Sequence, residues 1–208
     1  MIAKGLDFHG VTFVGVVSAD GSLHLPDFRA GERTFQSIVQ VAGRAGRGKQ
    51  PGKVIVQTRA PGHPALAAAQ AHDYAAFAAG ESAFRRDFGY PPFGRLVALT
   101  LSGADEDKVI AAAKTCADAV RAARKEWQAH ASARGAEPEG TLEILGPAPS
   151  PLPKLRGRHR WRLTLKDRDT KRLHAVARAA LDSLEGGGDF KLPSTVALAV
   201  DVDPYDVL

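Results

Sequence analysis

The sequence predicts an α/β protein built in two parts, and the order of its apolar segments carries that prediction. In the first part, a β-branched run at 11–18 (VTFVGVVS), a helical pattern and a second β-branched run at 52–58 (GKVIVQT) follow one another. Strand, helix and strand in this order imply a parallel sheet. After the Pro/Gly-rich segment GYPPFG at 89–94, the order becomes βαββαβ. The 208 residues suffice for one large domain or two small ones.

The elements of the first part follow from hydrophobic spacing. Uninterrupted β-branched runs are typical of strands buried on both faces. Between the two runs, apolar residues recur at helical spacing in RTFQSIVQVAG, and Gly43 ends this helix. Two strands make a thin sheet, so residues 1–60 are interpreted as the last portion of a larger domain. An alanine-rich helix at 65–88 and the GYPPFG joint make residues 61–94 a helical linker.

The second part, residues 95–208, is predicted to be an α+β domain. The segment 105–131 has acidic residues in its first turn and one apolar face, which is typical of a long amphipathic helix. That face carries Val109, Ala112, Cys116, Ala119, Ala123 and Trp127. The other predicted elements are strands at 95–103, 141–147, 159–166 and 194–204 and a helix at 169–185. Their order is that of a ferredoxin-like split unit, in which two helices cover one face of the sheet.

Composition excludes several classes of protein. The single cysteine, Cys116, rules out a disulfide framework and a multi-cysteine zinc site within the chain, and its alanine-rich surroundings favour a buried structural thiol. No apolar run approaches the roughly 20 residues needed to span a bilayer, and the N-terminus lacks the apolar core of a secretory signal. A cytoplasmic protein with no membrane partner is therefore expected. The net charge of +5 fits a nucleic-acid partner without requiring one.

Two sets of potential metal ligands have simpler explanations, and no metal site is predicted. The seven histidines show no metal-ligand spacing, and surface or capping roles are predicted for His63 and His72. Near the C-terminus, Asp201, Asp203 and Asp206 would suit a divalent ion. A strand end followed by a proline turn explains these aspartates at least as well.

Two arginines in a glycine-rich turn form the first candidate site. The segment QVAGRAGRG at 40–48 sets Arg44 and Arg47 three residues apart where nearly every other side chain is small. Glycine lets the backbone approach a ligand closely, and the planar guanidinium group matches phosphate oxygens. The pair indicates an anion site, although a basic turn that caps a helix C-terminus would have the same composition.

The surroundings of this turn resemble the end of the second motor lobe of superfamily 2 helicases. KGLDF at 4–8 is similar to helicase motif V, and QVAGRAGR at 40–47 is similar to motif VI. Four further segments resemble the primosomal protein N' (PriA) family of replication-restart helicases: ADGSLHLPDFRAGERTFQ at 19–36, GYPPFGRLVAL at 89–99, ILGPAPSPLPKLRGRHRWRL at 144–163 and DVDP at 201–204. The resemblance covers nearly the whole chain. It implies a partial RecA-like second helicase lobe, followed by the ferredoxin-like C-terminal domain.

The resemblance also assigns roles to residues of both motifs. In motif VI, the glutamine and both arginines face the nucleotide cleft, so the implied catalytic residues are Gln40, Arg44 and Arg47. Arginine fingers of this kind neutralise charge on the transferred phosphoryl group and contribute about 10³–10⁵ in rate. The residues implied to bind ATP, or to couple it to DNA, are Lys4, Gly5, Asp7 and Gly43. ATP and Mg²⁺ are the cofactors implied for the whole protein.

The sequence departs from the helicase pattern in what it lacks. It contains no GxxxxGK[ST] phosphate loop, no accompanying acidic Mg²⁺-binding motif and no cysteine-rich zinc segment. Zinc therefore belongs to the family, but its cysteine ligands are absent from this sequence. Arginine fingers without a phosphate cradle have nothing to complete, so the chain alone is expected neither to hydrolyse ATP nor to unwind DNA. It is interpreted as a fragment.

The basic segment KLRGRHRWRLTLKDRDTKR at 154–172 is the second candidate site. Its nine cations outnumber two aspartates and repel one another, which favours a partner such as DNA phosphate that neutralises them. Strand alternation places Arg160 and Arg162 on one face and Trp161 on the other, so Trp161 is predicted to be core. Arg156 and Arg158 are placed in a loop before this strand. The predicted DNA-binding residues are Lys154, Arg156, Arg158, Arg160 and Arg162, although an ordinary solvated basic loop would have the same composition.

The function implied by the resemblance is that of the C-terminal fragment of an ATP-dependent 3'-to-5' DNA helicase. The whole protein would recognise stalled or branched replication forks and restart replication through primosome assembly. Its implied partners are branched and single-stranded DNA, single-stranded-DNA-binding protein and other primosome proteins. One alternative is a stand-alone nucleic-acid-binding or adaptor module without motor activity, and another is an inert remnant.

Overall fold

The computed structural model describes residues 11–46, 51–135, 140–186 and 190–205. They belong to two compact units that divide between Phe84 and Arg85. The first unit contains a two-stranded parallel sheet and the second a four-stranded antiparallel sheet, so the chain is of the predicted mixed α/β type. Residues 61–94, predicted to be a linker, contribute to both units.

The first unit is built around a parallel strand pair. Strands β1 (Phe13–Val16) and β2 (Lys53–Val56) pair in parallel. Helices α1 (Asp20–Leu23) and α2 (Ala30–Ala42) lie between them in the chain, and α3 (Pro64–Ala71) and α4 (Tyr74–Asp87) follow. The core joins α2, α3 and α4, with Phe35 stacked on Phe77 at 4.3 Å between ring centroids.

The prediction that β1 and β2 are buried on both faces is wrong. Their residues alternate in exposure, and Phe13 and Ile55 are 57% and 47% exposed on one face. On the other face, Val56 packs against the core that contains Phe35 and Ile38 of α2. The described helices thus cover one face of the strand pair. The sequence pattern of a strand cannot show whether other elements pack on one of its faces or on both.

The predicted single helix at 65–88 is also wrong, because the chain breaks it into two. His72 ends α3 in the left-handed region at φ 54°, a conformation that does not continue an α-helix. Asp73 then starts α4, where its Oδ1 accepts a hydrogen bond from the Ala76 N–H at 2.8 Å. His63 has the predicted capping role, since its Nδ1 accepts from the Ala65 N–H at 3.2 Å.

The second unit follows the predicted βαββαβ order. Its elements are β3 (Arg95–Gly103), α5 (Glu106–Ala133), β4 (Glu143–Leu155), β5 (Arg158–Asp167), α6 (Thr170–Glu185) and β6 (Ala197–Val202). The sheet order is β4-β5-β3-β6, and each neighbouring pair is antiparallel. Both helices pack on one face, where Leu99 and Leu163 are fully buried. We call the opposite face, which carries Thr100 and Arg162, the open face.

The predicted apolar face of the long helix is confirmed. Val109 and Cys116 are fully buried, and Trp127 packs at the margin of the same core. The helix begins where the Asp105 carboxylate accepts a hydrogen bond from the Lys108 N–H at 3.2 Å. An N-cap of this type satisfies a backbone donor that has no partner within the helix.

β4 extends beyond the predicted strand at 141–147, through the proline-rich segment to Leu155. Register shifts interrupt its pairing with β5, and β4 lies at the edge of the sheet. Proline is tolerated there because an edge strand does not need all of its N–H groups for the ladder. Arg156 and Gly157, at φ 50° and 78°, form the two-residue turn to β5, and two positive φ angles are typical of a hairpin turn.

Two sequence signatures tie the second unit together. In GYPPFG, Tyr90 and Phe93 are packed as predicted, with the Lys166 Nζ 4.6 Å from the Tyr90 ring centroid and the Arg86 Cζ 4.7 Å from that of Phe93. In DVDP, the Asp203 carboxylate accepts from Arg95 Nη1 at 3.0 Å and from the Leu96 N–H at 3.3 Å. The strand-end explanation therefore accounts for Asp203. No group of three metal-ligating side chains occurs within the described ranges.

Candidate functional site

The glycine–arginine turn follows the last turn of α2. Gln40 is exposed there, and Gly43 ends the helix with its N–H donating to the Val39 carbonyl at 3.0 Å. Arg44 comes next and is half-buried, and its backbone N–H donates to the Val41 carbonyl at 3.1 Å. The structure thus brings Gln40, Gly43 and Arg44 together at one helix end.

Backbone contacts hold the turn against the strands. The Gly46 N–H donates to the Val11 carbonyl at 2.8 Å, and Gly46 has a φ of 77°. A Cβ at Gly46 would lie 2.8 Å from the Gly52 nitrogen, and one at Gly52 would collide with the backbone of Ala45 and Gly46. Glycine is therefore required at these two positions because two backbone segments of the chain pack closely there, and not because a ligand approaches.

The other predicted residues of this site lie outside the described residues. They are Lys4, Gly5 and Asp7 of motif V and Arg47 of motif VI. Their placement beside Arg44 stays a prediction.

Sequence reasoning missed an ionised carboxylate in the first unit. Asp20 opens α1, and its Oδ1 accepts from Thr58 Oγ1 at 2.8 Å, while its Oδ2 accepts from the Arg59 N–H at 3.0 Å. The Thr58 hydrogen bond is the main cause that holds the pKa of Asp20 below its usual value, and the Arg59 N–H adds to it. The partners are 38 and 39 residues away, so no local pattern could have indicated this contact.

In the basic segment, strand register decides which way each cation faces. Arg160 lies opposite Ser102 and Arg162 opposite Thr100. Trp161 points to the helix side and packs against the core, which confirms the prediction for it. Residues directly opposite each other share a face in an antiparallel pair, so Arg160 and Arg162 both belong to the open face.

The loop assignment of Arg158 is wrong, because this residue is the first of β5. It lies on the open face, two residues before Arg160, and its Nη2 donates to the Ser102 carbonyl at 2.8 Å. Arg156 is in the hairpin turn as predicted. Lys154 lies opposite His159 and therefore on the helix side. The five predicted DNA-binding residues thus do not share one face.

Lys166 is one of three cations of the segment whose side chains donate hydrogen bonds within the unit. The Lys166 side chain is 7% exposed and pairs with Glu143 at 3.1 Å. Its Nζ also donates to the Phe88 carbonyl at 2.5 Å. Arg168 donates to the Arg86 carbonyl at 2.6 Å. The buried Lys166 ammonium therefore needs no external anion, whereas the Arg168 guanidinium is exposed.

Arg172 is the third of these cations, and it forms a buried bidentate pair with Asp167. Its Nε and Nη2 donate to the two carboxylate oxygens at 2.5 and 2.6 Å, and its Nη1 donates to the Gly140 carbonyl at 3.1 Å. The Asp167 hydrogen bonds are the main cause that raises the pKa of the Arg172 guanidinium. The expectation that all nine cations call for an external partner therefore fails for the buried Lys166 and Arg172.

Cys116 is the buried structural thiol that the sequence predicted. It is fully buried in the core under α5, and this burial raises the pKa of the thiol to about 12. A thiol held protonated in this way is a poor nucleophile. None of the helices in the described ranges is long and apolar enough to cross a membrane.

Known proteins resemble this chain along its length. A sequence profile of the primosomal protein N C-terminal domain matches residues 86–205. "Replication restart protein PriA" of Bacillus subtilis is 38% identical over 205 residues, which are 99% of this chain and 23% of that protein. The protein of the same name from Treponema pallidum is 39% identical over 208 residues, 100% of this chain and 29% of its own length. The chain thus spans about a quarter of these curated relatives.

Proposed function

The chain belongs to the family of primosomal protein N C-terminal domains, and from that premise we propose that it acts in replication restart as the C-terminal part of a DNA helicase. The support is the agreement of two independent features. The family match lies over the second unit, at 86–205, while the turn similar to helicase motif VI lies in the first unit, at the end of α2. The whole protein would translocate 3'-to-5' on branched DNA and act with single-stranded-DNA-binding protein and other primosome proteins.

The same proposal assigns a fold to each unit. The first would be the last portion of a RecA-like second lobe, because a helix connects two parallel strands. The second would be ferredoxin-like, since the strand order β4-β5-β3-β6 and the two helices on one face agree with a split βαβ unit.

ATP, with Mg²⁺, would supply the phosphoryl group whose transfer drives such a motor. The described residues fit one edge of a nucleotide site, because Arg44 is a half-buried cation that follows a helix end beside the exposed Gln40. Arg44 would donate to phosphate oxygens as an arginine finger, with Arg47 as its partner. Gly43 would position both by ending the helix. The phosphate loop would come from outside this sequence, so the chain alone is expected to be inactive.

A chimera tests this proposal. This chain would replace the corresponding C-terminal segment of the Bacillus subtilis relative, and ATP hydrolysis stimulated by forked DNA would be measured. We expect the chimera to be active and Arg44→Gln to lower its rate by about 10³-fold or more. Arg59→Gln, which removes an exposed arginine of the same unit, is the matched control and should leave the rate unchanged. An inactive folded chimera, or equal rates in the two variants, would refute the proposal.

A stand-alone nucleic-acid-binding module is the second candidate, and one observation favours it. The second unit has its own core, built from α5, α6 and the helix side of its sheet. A unit with a complete core can function without a motor. In that case the chimera would be inactive, while the isolated chain would still bind DNA.

A further inference from the structure

Three arginines line one strand of the open face. Arg158, Arg160 and Arg162 alternate along β5 on the side away from the helices. Alternate residues of an antiparallel strand are about 6.8 Å apart, so the row spans about 14 Å. One DNA strand carries a phosphate every 3.4 Å or so along the axis, so the arginine spacing corresponds to about two base steps.

The neighbours of the arginines leave room for a ligand backbone. Ser102 and Thr100 lie opposite Arg160 and Arg162 and supply hydroxyl groups. On the next strand, β6, Ala197 and Ala199 lie opposite this serine and threonine, and both alanines are exposed. Small side chains let a phosphate backbone approach the sheet, and hydroxyl groups can donate to phosphate oxygens.

The arginines and the acidic side chains lie at opposite ends of the open face. Within the described residues, no carboxylate pairs with Arg158 or Arg160. The acidic residues of the open face lie nearer the other end of the strands, where Asp201 is opposite Ala98 and Glu143 is opposite Lys166. Glu143 is paired with Lys166, whereas Asp201 is exposed, so the arginine end is the more positive of the two and attracts a duplex more strongly.

Among the residues that the structure describes, no aromatic ring lies beside the arginines on the open face. Trp161, the aromatic residue of β5, points to the helix side and packs on the core. Tyr90 contacts Lys166, which is at the far end of the open face. Sequence-independent binding of single strands depends on bases that stack on aromatic rings, whereas a duplex presents its phosphates without unstacked bases.

We propose that the arginine end of the open face binds the phosphate backbone of duplex DNA, through Arg158, Arg160 and Arg162 with the hydroxyl groups of Thr100 and Ser102. That DNA is the partner rests on the proposed function, while the surface and the duplex form of the DNA rest on the geometry. The contacts are to phosphate, so binding is independent of base sequence and steeply dependent on salt. The hairpin-tip cation Arg156 and the helix-side Lys154 are not needed for it.

Fluorescence anisotropy on the 208-residue chain tests the surface. The probes are a labelled duplex of about 20 base pairs and one of its strands alone, titrated between about 50 and 200 mM salt. We expect tighter binding to the duplex. Arg158→Gln with Arg160→Gln removes two phosphate contacts, which should lower the slope of log K against log salt by about 1.8 and the duplex affinity at 0.1 M salt by about 60-fold.

The matched control removes the same charge from the helix side of the unit. Lys114→Gln with Lys171→Gln changes exposed residues of α5 and α6, and its duplex affinity should stay within about threefold of the unmodified chain. Equal urea midpoints by tryptophan fluorescence show that both variants fold. If the single strand binds as tightly as the duplex, or if both double variants lose the same duplex affinity, the assignment of this surface is wrong. DNA would still be a partner of the chain. Binding to neither probe overturns both DNA as the partner and the surface.

Discussion

Replacing Arg172 with glutamine is expected to destabilise the second unit by about 3–5 kcal/mol, because the change leaves a buried carboxylate without its counter-charge. The side chains of Arg172 and Asp167 are 3% and 1% exposed. The guanidinium also donates to the Gly140 carbonyl, so one substitution removes three hydrogen bonds. Glutamine can replace at most part of them, and the remaining Asp167 charge stays in a medium of low polarity.

Tryptophan fluorescence during urea unfolding measures this loss. The chain has two tryptophans, Trp127 and Trp161, and both lie in the second unit, so the signal reports that unit alone. With an m value of about 1.5 kcal/mol/M, the expected loss lowers the urea midpoint by about 2–3 M.

Arg178→Gln is the matched control, because Arg178 is in the same helix and also pairs with an aspartate. Its partner is Asp182 at 3.1 Å, and the two side chains are 80% and 59% exposed. An exposed pair of this kind contributes about 0.5 kcal/mol or less. If Arg172→Gln lowers the free energy of unfolding no more than Arg178→Gln, burial does not make the Arg172–Asp167 pair important for stability, and the prediction is wrong. Replacing both partners, with Asp167→Leu and Arg172→Met, should recover part of the loss.

Two further predictions follow from altered pKa values. Cys116 should resist thiol reagents at about pH 8 until the tryptophan signal shows unfolding, because burial raises its pKa to about 12. Its contribution to stability is present below the unfolded pKa of about 8.5 and is lost as the pH rises towards 12. Labelling of the folded chain would contradict this. Asp20 has a lowered pKa, so it stabilises the first unit above about pH 4, and this effect is lost on acidification. The Arg59 amide resonance, followed by NMR, should titrate below pH 4 or so, and Asp20→Asn should abolish that titration.

Periodicity in the sequence was sufficient to predict which side chains of a single helix or strand face the core. The apolar face of α5 was predicted from a helical repeat, and its residues from Val109 to Trp127 are buried or packed against the core. Strand alternation placed Trp161 in the core and Arg162 on the opposite face in the same way. These patterns are local, since they depend on residues two to four positions apart.

Charge counting and composition were insufficient where a distant segment determines what a residue contacts. Charge counting treated Lys166 and Arg172 as surface cations, but the Phe88 carbonyl and the Gly140 carbonyl bind them from 78 and 32 residues away. Composition likewise assigned the glycines of the turn at 40–48 to a ligand, although Gly46 is required where its backbone meets that of Gly52.

Local spacing and contiguous motifs were enough to predict the βαββαβ order of the second unit, the core face of its long helix and the family, because each depends on residues close together in the sequence. Which charges of the basic segment face solvent, by contrast, follows from tertiary contacts. That outcome depends on strand register, which places Arg158, Arg160 and Arg162 on the open face, and on distant carbonyls, which bind the buried Lys166 and Arg172. Strand register places the three arginines in a row on the open face, and counting charges along the sequence cannot predict that row.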